Sequence, residues 1–218
     1  MDEKVLIAKR VALELKDGDL VNLGIGLPTT VARYLPADID VTFQSENGVI
    51  GLSSPPPAGM RSYAYTDAGG APIGVHPGAA AFDSATSFAL IRGGHLGVTV
   101  LGGLQVDERG LLANWMVPGK MVPGMGGAMD LVTGAKRVIV AMTHTAKGEP
   151  KVLPRCTLPL TSARPISLLV TELAVIEPTS DGLVLKETAP GVTVEQVLAA
   201  TKARLIVPNH VGVMPIAE

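Results

Sequence analysis

The beginning of the chain alternates between helix-like and strand-like segments, and this alternation limits the possible folds more than any other feature. Apolar residues recur first with helical spacing and then in short runs, and glycine turns separate the two patterns. The predicted helix, strand, glycine turn, helix and strand cover residues 5–15, 20–23, 24–26, 28–35 and 41–44. This order predicts an α/β domain with a largely parallel sheet.

The rest of the chain continues the alternation and closes with a different arrangement. The further predicted helices cover 84–92, 128–132 and 193–201, and the further strands cover 98–101, 111–115, 137–142 and 204–207. Two segments, 167–176 and 182–187, flank a polar turn and predict a late antiparallel hairpin. We therefore expect one domain over residues 1–218, with a mixed, largely parallel sheet flanked by helices.

Composition excludes several classes of function. The formal net charge is −2 and only 3% of the chain is aromatic, which argues against a nucleic-acid surface. The acidic N-terminus lacks a signal-peptide pattern, and the apolar runs are shorter than the roughly 18 to 20 residues of a membrane span. Cys156 is the single cysteine, so we expect neither disulfides nor a CxxC metal site, and a reducing cytoplasm fits best.

Glu46 lies in the segment FQSENGVIG, residues 43–51, directly before an Asn-Gly step. Asn-Gly is the strongest short-range turn signal, and β-prone residues lie on both sides of it. The acid is therefore expected at the end of a strand. Three interpretations stay open: an exposed turn residue, a ribose ligand and a nucleophile. A carboxylate nucleophile needs no partner base, which suits a chain with little other catalytic equipment.

A dinucleotide site is the main rival interpretation. Gly24 and Gly26 follow a strand, and Glu46 comes roughly 20 residues later, where an acid would bind ribose. However, Thr29 stands where the third glycine of that motif belongs. A non-catalytic ligand-binding module is a further alternative, since α/β folds of this type also bind small ligands.

The remaining reactive side chains give no clear site. The four histidines, at positions 76, 95, 144 and 210, have no metal-binding spacing, so we expect structural or surface roles and no metal centre. Cys156 stands between Arg155 and Thr157 and could be a thiol of lowered pKa, but a packed cysteine is the commoner outcome.

Residues 43–51 match the glutamate motif of the family I 3-oxoacid coenzyme A transferases without a mismatch. The resemblance extends nearly from end to end and includes residues 21–28, 87–95, 112–115, 124–132 and 156–161. Within the family the chain looks closest to the β subunits of the acetate/acetoacetate type. The resemblance implies the CoA-transferase and ribose-5-phosphate isomerase-like α/β fold.

The resemblance also implies roles for individual residues. Glu46 would attack an acyl-CoA and then carry CoA as a thioester, and the Gly127 N–H would stabilise the oxyanion. The implied substrate-binding residues are Asn22, Gly24, Gly26, Asn47, Gly126 and Ala128. No metal or separate cofactor is implied, because coenzyme A is itself the substrate. The implied partner is an α subunit, in an α2β2 assembly that binds an acyl-CoA and a carboxylic acid.

Two departures from the family refine the expectation. Many relatives that act on succinate or oxoadipate carry Asn-Ala-Gly-Lys, whereas this chain has Asp-Ala-Gly-Gly over residues 67–70. The missing cation favours short monocarboxylates such as acetate and acetoacetate, with succinyl-CoA:3-oxoacid or 3-oxoadipate transfer as the alternative. None of the Gly-Gly pairs is followed by phenylalanine, so the Gly-Gly-Phe motif of the companion half is absent and an α subunit is required.

Overall fold

The computed structural model describes residues 2–119 and 124–217. Its helices are α1 (Glu3–Ala12), α2 (Ser84–Arg92), α3 (Ala128–Gly134) and α4 (Val194–Ala199), with 3-10 helices at Leu27–Tyr34 and Ala58–Met60. Its strands are β1 (Leu20–Leu23), β2 (Thr42–Ser45), β3 (Val49–Ser53), β4 (Gly74–Ala81), β5 (Val98–Gly102), β6 (Gln105–Asp107), β7 (Leu112–Ala113), β8 (Arg137–Ala141), β9 (Thr145–Ala146), β10 (Glu149–Pro150), β11 (Val152–Leu153), β12 (Leu168–Val170), β13 (Ala174–Thr179), β14 (Gly182–Thr188), β15 (Leu205–Ile206) and β16 (Gly212–Val213).

One large mixed sheet organises the domain. Within the described residues it has 11 strands. Ten of them run in the order β15-β14-β13-β12-β8-β5-β1-β2-β3-β4, and the eleventh, β16, pairs with β14. The central strands β12, β8, β5, β1 and β2 are all parallel to one another. At both flanks the pairing becomes antiparallel, through β2–β3–β4 on one side and β12–β13–β14 on the other. The predicted α/β class, the largely parallel sheet and the late hairpin are thus confirmed.

The sheet has a hydrophobic core on each face. Within β8, Val138 and Val140 join the core that includes residues of α2, α3 and α4, whereas Ile139 and Ala141 join the core with α1. Successive side chains of a strand point to opposite faces, so a strand buried on both faces needs a continuous apolar run. The helices therefore cover both sides of the parallel centre.

Local signals place the helix starts as expected. The Asp83 carboxylate accepts a hydrogen bond from the Thr86 N–H and caps α2. Thr193 and Gln196 form the predicted capping box of α4. Since each cap satisfies a backbone amide that the helix itself leaves unpaired, it fixes the first residue of the helix.

Four expectations need correction. The helix after Gly26 is a 3-10 helix. The predicted strand 167–176 is two strands, because the Thr171 hydroxyl accepts hydrogen bonds from the amides of Leu173 and Ala174 and the chain reverses there. The predicted strand 111–115 shortens to β7.

The strand β4 was not predicted, because Pro77 interrupts its pattern; an edge strand tolerates such a residue. The predicted loop 117–127 includes residues 120–123, which lie outside the described residues.

Candidate active site

Glu46 is fixed at the carboxyl end of β2 by a tight turn. The chain reverses over residues 46–48 and returns as β3, antiparallel to β2. Gly48 has a φ of +118°, and a Cβ at this position would lie 2.0 Å from the carbonyl oxygen of Phe82. The Gly48 carbonyl in turn accepts a hydrogen bond of 2.9 Å from the Phe82 N–H. The Asn-Gly signal thus produces the predicted turn, and it leaves Glu46 half-buried instead of exposed.

The carboxylate of Glu46 accepts a hydrogen bond from a buried amide. Asn22 lies on β1, next to β2, and its side chain is fully buried. Its Nδ2 is 3.1 Å from Oε2 of Glu46. A neutral donor on one carboxylate oxygen orients the group and leaves the second oxygen available for reaction.

The backbone of Gly127 packs directly against Glu46. A Cβ at Gly127 would lie 3.1 Å from Cγ of Glu46 and 3.2 Å from Cζ of Phe88. Gly127 is the residue before α3, and within residues 2–119 and 124–217 its N–H has no hydrogen-bond acceptor. Only glycine permits this approach without displacing a neighbour.

A cavity of about 610 Å³ opens in front of Glu46. It is lined by Gly24, Ile25, Glu46, Ala68, Leu101, Gly102, Gly103, Leu104, Asn114, Trp115, Gly124, Met125, Gly126, Gly127, Ala128 and Leu131. It lies where β1, β2 and β5 end, the edge at which parallel sheets usually bind ligands. Among the described lining residues, Glu46 carries the only charge. The cavity therefore presents one carboxylate in a largely apolar wall.

The cavity brings together five of the predicted site residues, namely Gly24, Glu46, Gly126, Gly127 and Ala128. Asn22 lies behind Glu46 and reaches the site through it.

Gly26 and Asn47 are exposed and do not line the cavity. The Asn47 amide donates instead to the carbonyl oxygen of Thr66, at 2.8 Å. It therefore fixes the turn to the neighbouring loop.

Several lining residues were not predicted. Asn114 donates from Nδ2 to the Gly102 carbonyl and accepts from the Thr161 hydroxyl at 2.7 Å, so its amide is held rigidly in the wall. Trp115 follows it. Both belong to block 112–115 of the family resemblance, which marked the segment but gave it no role.

Burial shifts the pKa of two other titratable groups, Cys156 and His144. Burial raises the pKa of the Cys156 thiol to about 12, so this cysteine is not a reactive thiolate. Burial, and next the charge of Lys151, lower the pKa of His144 to about 4, and its two ring nitrogens contact Thr171 and Thr201. In the part of the chain that the structure describes, no cluster of three or more His, Cys, Asp or Glu side chains is arranged to hold a metal ion.

A second cavity, of about 340 Å³, lies at the amino ends of β1, β5 and β8, at the opposite edge of the sheet from Glu46. Within the described ranges, no helix has the length and apolar character needed to cross a membrane.

Comparison with known proteins gives a consistent result. The sequence profile of the family described as Coenzyme A transferase matches residues 4–200. The acetate CoA-transferase subunit beta of Escherichia coli is 60% identical over 94% of this chain and 94% of its own length. Its namesake from Haemophilus influenzae is 56% identical over 100% and 98%. An acyl-CoA transferase apoenzyme from E. coli O157:H7 shares the fold, with a TM-score of 0.79 at 24% identity over 98% of this chain and 43% of that one.

Proposed function

The chain belongs to the coenzyme A transferase family, and from this premise we propose that Glu46 is the nucleophile that carries CoA between two acids. The donor is an acyl-CoA, and the acceptor is a short-chain carboxylic or 3-oxo acid of the acetate/acetoacetate type. Membership in this family removes the dehydrogenase and the non-catalytic binding module as interpretations. The observation that carries the proposal is the position of the Glu46 carboxylate, hydrogen-bonded to Asn22 and facing the cavity.

The first half of the reaction uses Glu46 twice. One carboxylate oxygen attacks the thioester carbonyl carbon, the C–S bond breaks, and CoA leaves as a thiolate from an acyl-glutamyl anhydride. The thiolate then attacks the side-chain carbonyl carbon of Glu46. The donor acid leaves with the bridging oxygen, and CoA remains on Glu46 as a thioester.

The second half reverses these steps with a new acid. Its carboxylate attacks the Glu46 thioester, releases CoA thiolate and forms a second anhydride. The thiolate then attacks the carbonyl of the new acid and restores the Glu46 carboxylate. No proton is transferred at any stage, so no general base is required, and the kinetics are ping-pong. No cofactor is needed beyond the substrate CoA.

Backbone and side-chain donors stabilise the charge that forms in these steps. Gly127 lies beside Glu46, and its N–H has no acceptor among the described residues, which supports its role towards the oxyanion. The Asn22 amide stays on Oε2, the oxygen that bears the negative charge when CoA attacks the glutamyl carbon. One such donor is typically worth about 10²- to 10³-fold in rate.

The cavity favours acids with a single charge. A second carboxylate would need a cation, and the described lining supplies none. At the position where many dicarboxylate-specific relatives have lysine, Gly70 lies in a tight turn held by Asp67. We infer a preference for acetate, butyrate and acetoacetate. Steady-state assays across acids would show the highest kcat/KM for these; a higher value for succinate would favour the succinyl-CoA:3-oxoacid alternative.

A companion α subunit completes the site, in an α2β2 assembly. Two observations support the need for a partner. The matched relatives are named beta subunits, and this chain corresponds to only 43% of the chain of the structurally similar acyl-CoA transferase. Ile25 lines the cavity, is 72% exposed and lies near Gly69. The loop that contains Gly69 also carries the exposed side chains of Tyr63 and Tyr65. Exposed apolar surface of this kind typically marks a protein interface.

The partner requirement has a simple test. The purified chain should be inactive, and co-expression with the α subunit should restore turnover. Robust turnover by the chain alone would refute the requirement. The single cysteine, Cys156, suits a reducing compartment and is the basis for proposing the cytoplasm.

The nucleophile can be identified by trapping it. The complex with the α subunit is incubated with acetoacetyl-CoA, digested and examined by mass spectrometry. We expect a CoA-sized, hydroxylamine-labile adduct on the peptide that contains Glu46. The Glu46→Gln variant should fold normally and lose transfer by orders of magnitude, because an amide cannot form the anhydride. An adduct on another residue, or wild-type turnover by Glu46→Gln, would refute the assignment.

A further inference from the structure

A chain of buried polar side chains runs from helix α2 to Glu46. Asn22, Ser87 and Thr99 are fully buried, and Gln44 is 5% exposed. Nε2 of Gln44 donates to the Ser87 hydroxyl at 3.0 Å, and its Oε1 accepts from Nδ2 of Asn22 at 2.9 Å. The same Nδ2 donates to Oε2 of Glu46 at 3.1 Å, and the Thr99 hydroxyl donates to Oδ1 of Asn22 at 3.5 Å.

The hydrogen-bond donors and acceptors of these buried side chains can be paired in one way only. The Asn22 amide must direct its N–H groups at Glu46, because its oxygen would repel the carboxylate. Gln44 must then present its oxygen to Asn22 and its N–H₂ to Ser87. Reversing either amide would bring two donors or two acceptors together in a buried site, which is costly.

The Ser87 hydroxyl takes part in this network of buried side chains. A serine or threonine hydroxyl in a helix commonly donates to the carbonyl one turn earlier, as Thr133 does to Met129 in α3. Among the described residues, the hydrogen bond of the Ser87 hydroxyl is instead with Gln44. The next residue, Phe88, packs against the Gly127 backbone. Helix α2 thus reaches both groups that neighbour Glu46. Ser87 is linked to the Asn22 amide through Gln44, and Phe88 contacts the Gly127 backbone.

We propose that Gln44 and Ser87 are positioning residues, which lock the Asn22 amide in the orientation that holds its N–H on Oε2 of Glu46. The proposal rests on the nucleophilic role of Glu46. Oε2 is in turn a carboxylate oxygen, an anhydride carbonyl, an oxyanion and a thioester carbonyl, and it needs a donor throughout. A donor that is already fixed requires no reorganisation when the charge develops.

The test uses the complex with the α subunit. It compares the wild-type protein with three variants: Ser87→Ala, Gln44→Met and Ser167→Ala. Ser167→Ala is the matched control. It also removes a hydroxyl that accepts one hydrogen bond, from the Val138 N–H at 3.0 Å, but it lies beside the amino ends of β8 and β12, away from Glu46.

Single-turnover mass spectrometry follows the CoA adduct on Glu46 and gives both its rate constant and its amplitude. A variant that merely unfolds in part would lose amplitude and keep the rate constant. We expect Ser87→Ala and Gln44→Met to lower the rate constant and kcat by roughly 10- to 100-fold, with the KM for acyl-CoA within about 2-fold of wild type. Because both residues act through Asn22, the double variant should be no slower than Gln44→Met. Ser167→Ala should match wild type.

The outcomes separate the two claims. If wild type forms the adduct and both variants form it at the wild-type rate, the positioning role is refuted and the nucleophile stands. If wild type forms no adduct on Glu46, the proposed function fails, and the positioning role fails with it. If Ser87→Ala does not fold, Gln44→Met carries the same test, because methionine is similar in size to glutamine and removes both amide contacts.

Discussion

The close contact between Gly127 and Glu46 can be tested by adding one methyl group. In Gly127→Ala, the new Cβ would lie 3.1 Å from Cγ of Glu46, whereas ordinary van der Waals contact begins at 3.4 Å. Glu46 or the helix must therefore move by about 0.3 Å, and the ring of Phe88, at 3.2 Å, blocks retreat on its side. Overpacking of this kind costs roughly 1 kcal/mol or somewhat more.

The same displacement acts on the reaction. A shift of about 1 Å in a reacting group can cost about 10²-fold in rate, so a few tenths of an ångström should cost on the order of 10-fold. We expect the rate constant for CoA-adduct formation to fall by that factor in Gly127→Ala. Gly59→Ala is the control, because its Cβ would meet nothing within 4 Å and Gly59 does not line the cavity. It should form the adduct at the wild-type rate.

A double-mutant cycle identifies the contact itself. Glu46→Ala removes Cγ, so Gly127→Ala should be less destabilising in that background, by about 0.5 to 1 kcal/mol. Denaturant unfolding of the four chains measures this difference. An equal cost in both backgrounds, together with an unchanged adduct rate in Gly127→Ala, would show that Gly127 does not constrain Glu46.

Three further predictions concern the donor at Glu46, the ion pair and the pH dependence. Asn22→Leu removes the donor to Glu46 and should lower kcat by about 10²- to 10³-fold; near-normal turnover would show that the amide is dispensable. Arg10 is almost fully buried and makes two hydrogen bonds to Glu187. Arg10→Met should therefore destabilise the fold by roughly 3 to 5 kcal/mol in urea unfolding, and a cost below 1 kcal/mol would contradict this. Burial keeps His144 neutral, with a pKa lowered from 6.5 to about 4, so its stabilising contribution is complete above pH 6.5 and disappears as the pH falls towards 4. The difference corresponds to roughly 3 kcal/mol, which unfolding at stepwise pH should show in wild type and not in His144→Gln.

The fold could be predicted from the sequence where local patterns determine it. The apolar run of β8 predicts a buried strand, and the caps at Asp83 and Thr193 fix two helix starts. The edge strand β4 could not be predicted, because its pairing with β3 depends on tertiary contacts and its own sequence contains Pro77 and Gly78. Short strands such as β7 are likewise defined by their neighbours.

The site could be predicted only in part. The turn at Glu46 is a local signal, but the contact between Glu46 and Gly127 joins distant segments and was implied by the family resemblance alone. The buried chain through Gln44 and Ser87 requires knowing which face of α2 points inward, and the alternation of polar and apolar residues in a short helix does not fix that rotation. The resemblance also implied a substrate-binding role for Asn47. Its neighbour Glu46 lines the cavity, but the Asn47 side chain is hydrogen-bonded to the loop at Thr66 instead.

The movement of one oxygen atom tests the nucleophile most directly. The complex with the α subunit, in excess over both substrates, completes a single turnover with unlabelled acetoacetyl-CoA and with acetate that carries oxygen-18 in its carboxylate. If Glu46 forms both anhydrides, the released acetoacetate takes an unlabelled oxygen from Glu46, and the Glu46 peptide gains one oxygen-18. If the label instead appears in the released acid while the Glu46 peptide stays unlabelled, the two acids react without Glu46, and the central claim is wrong.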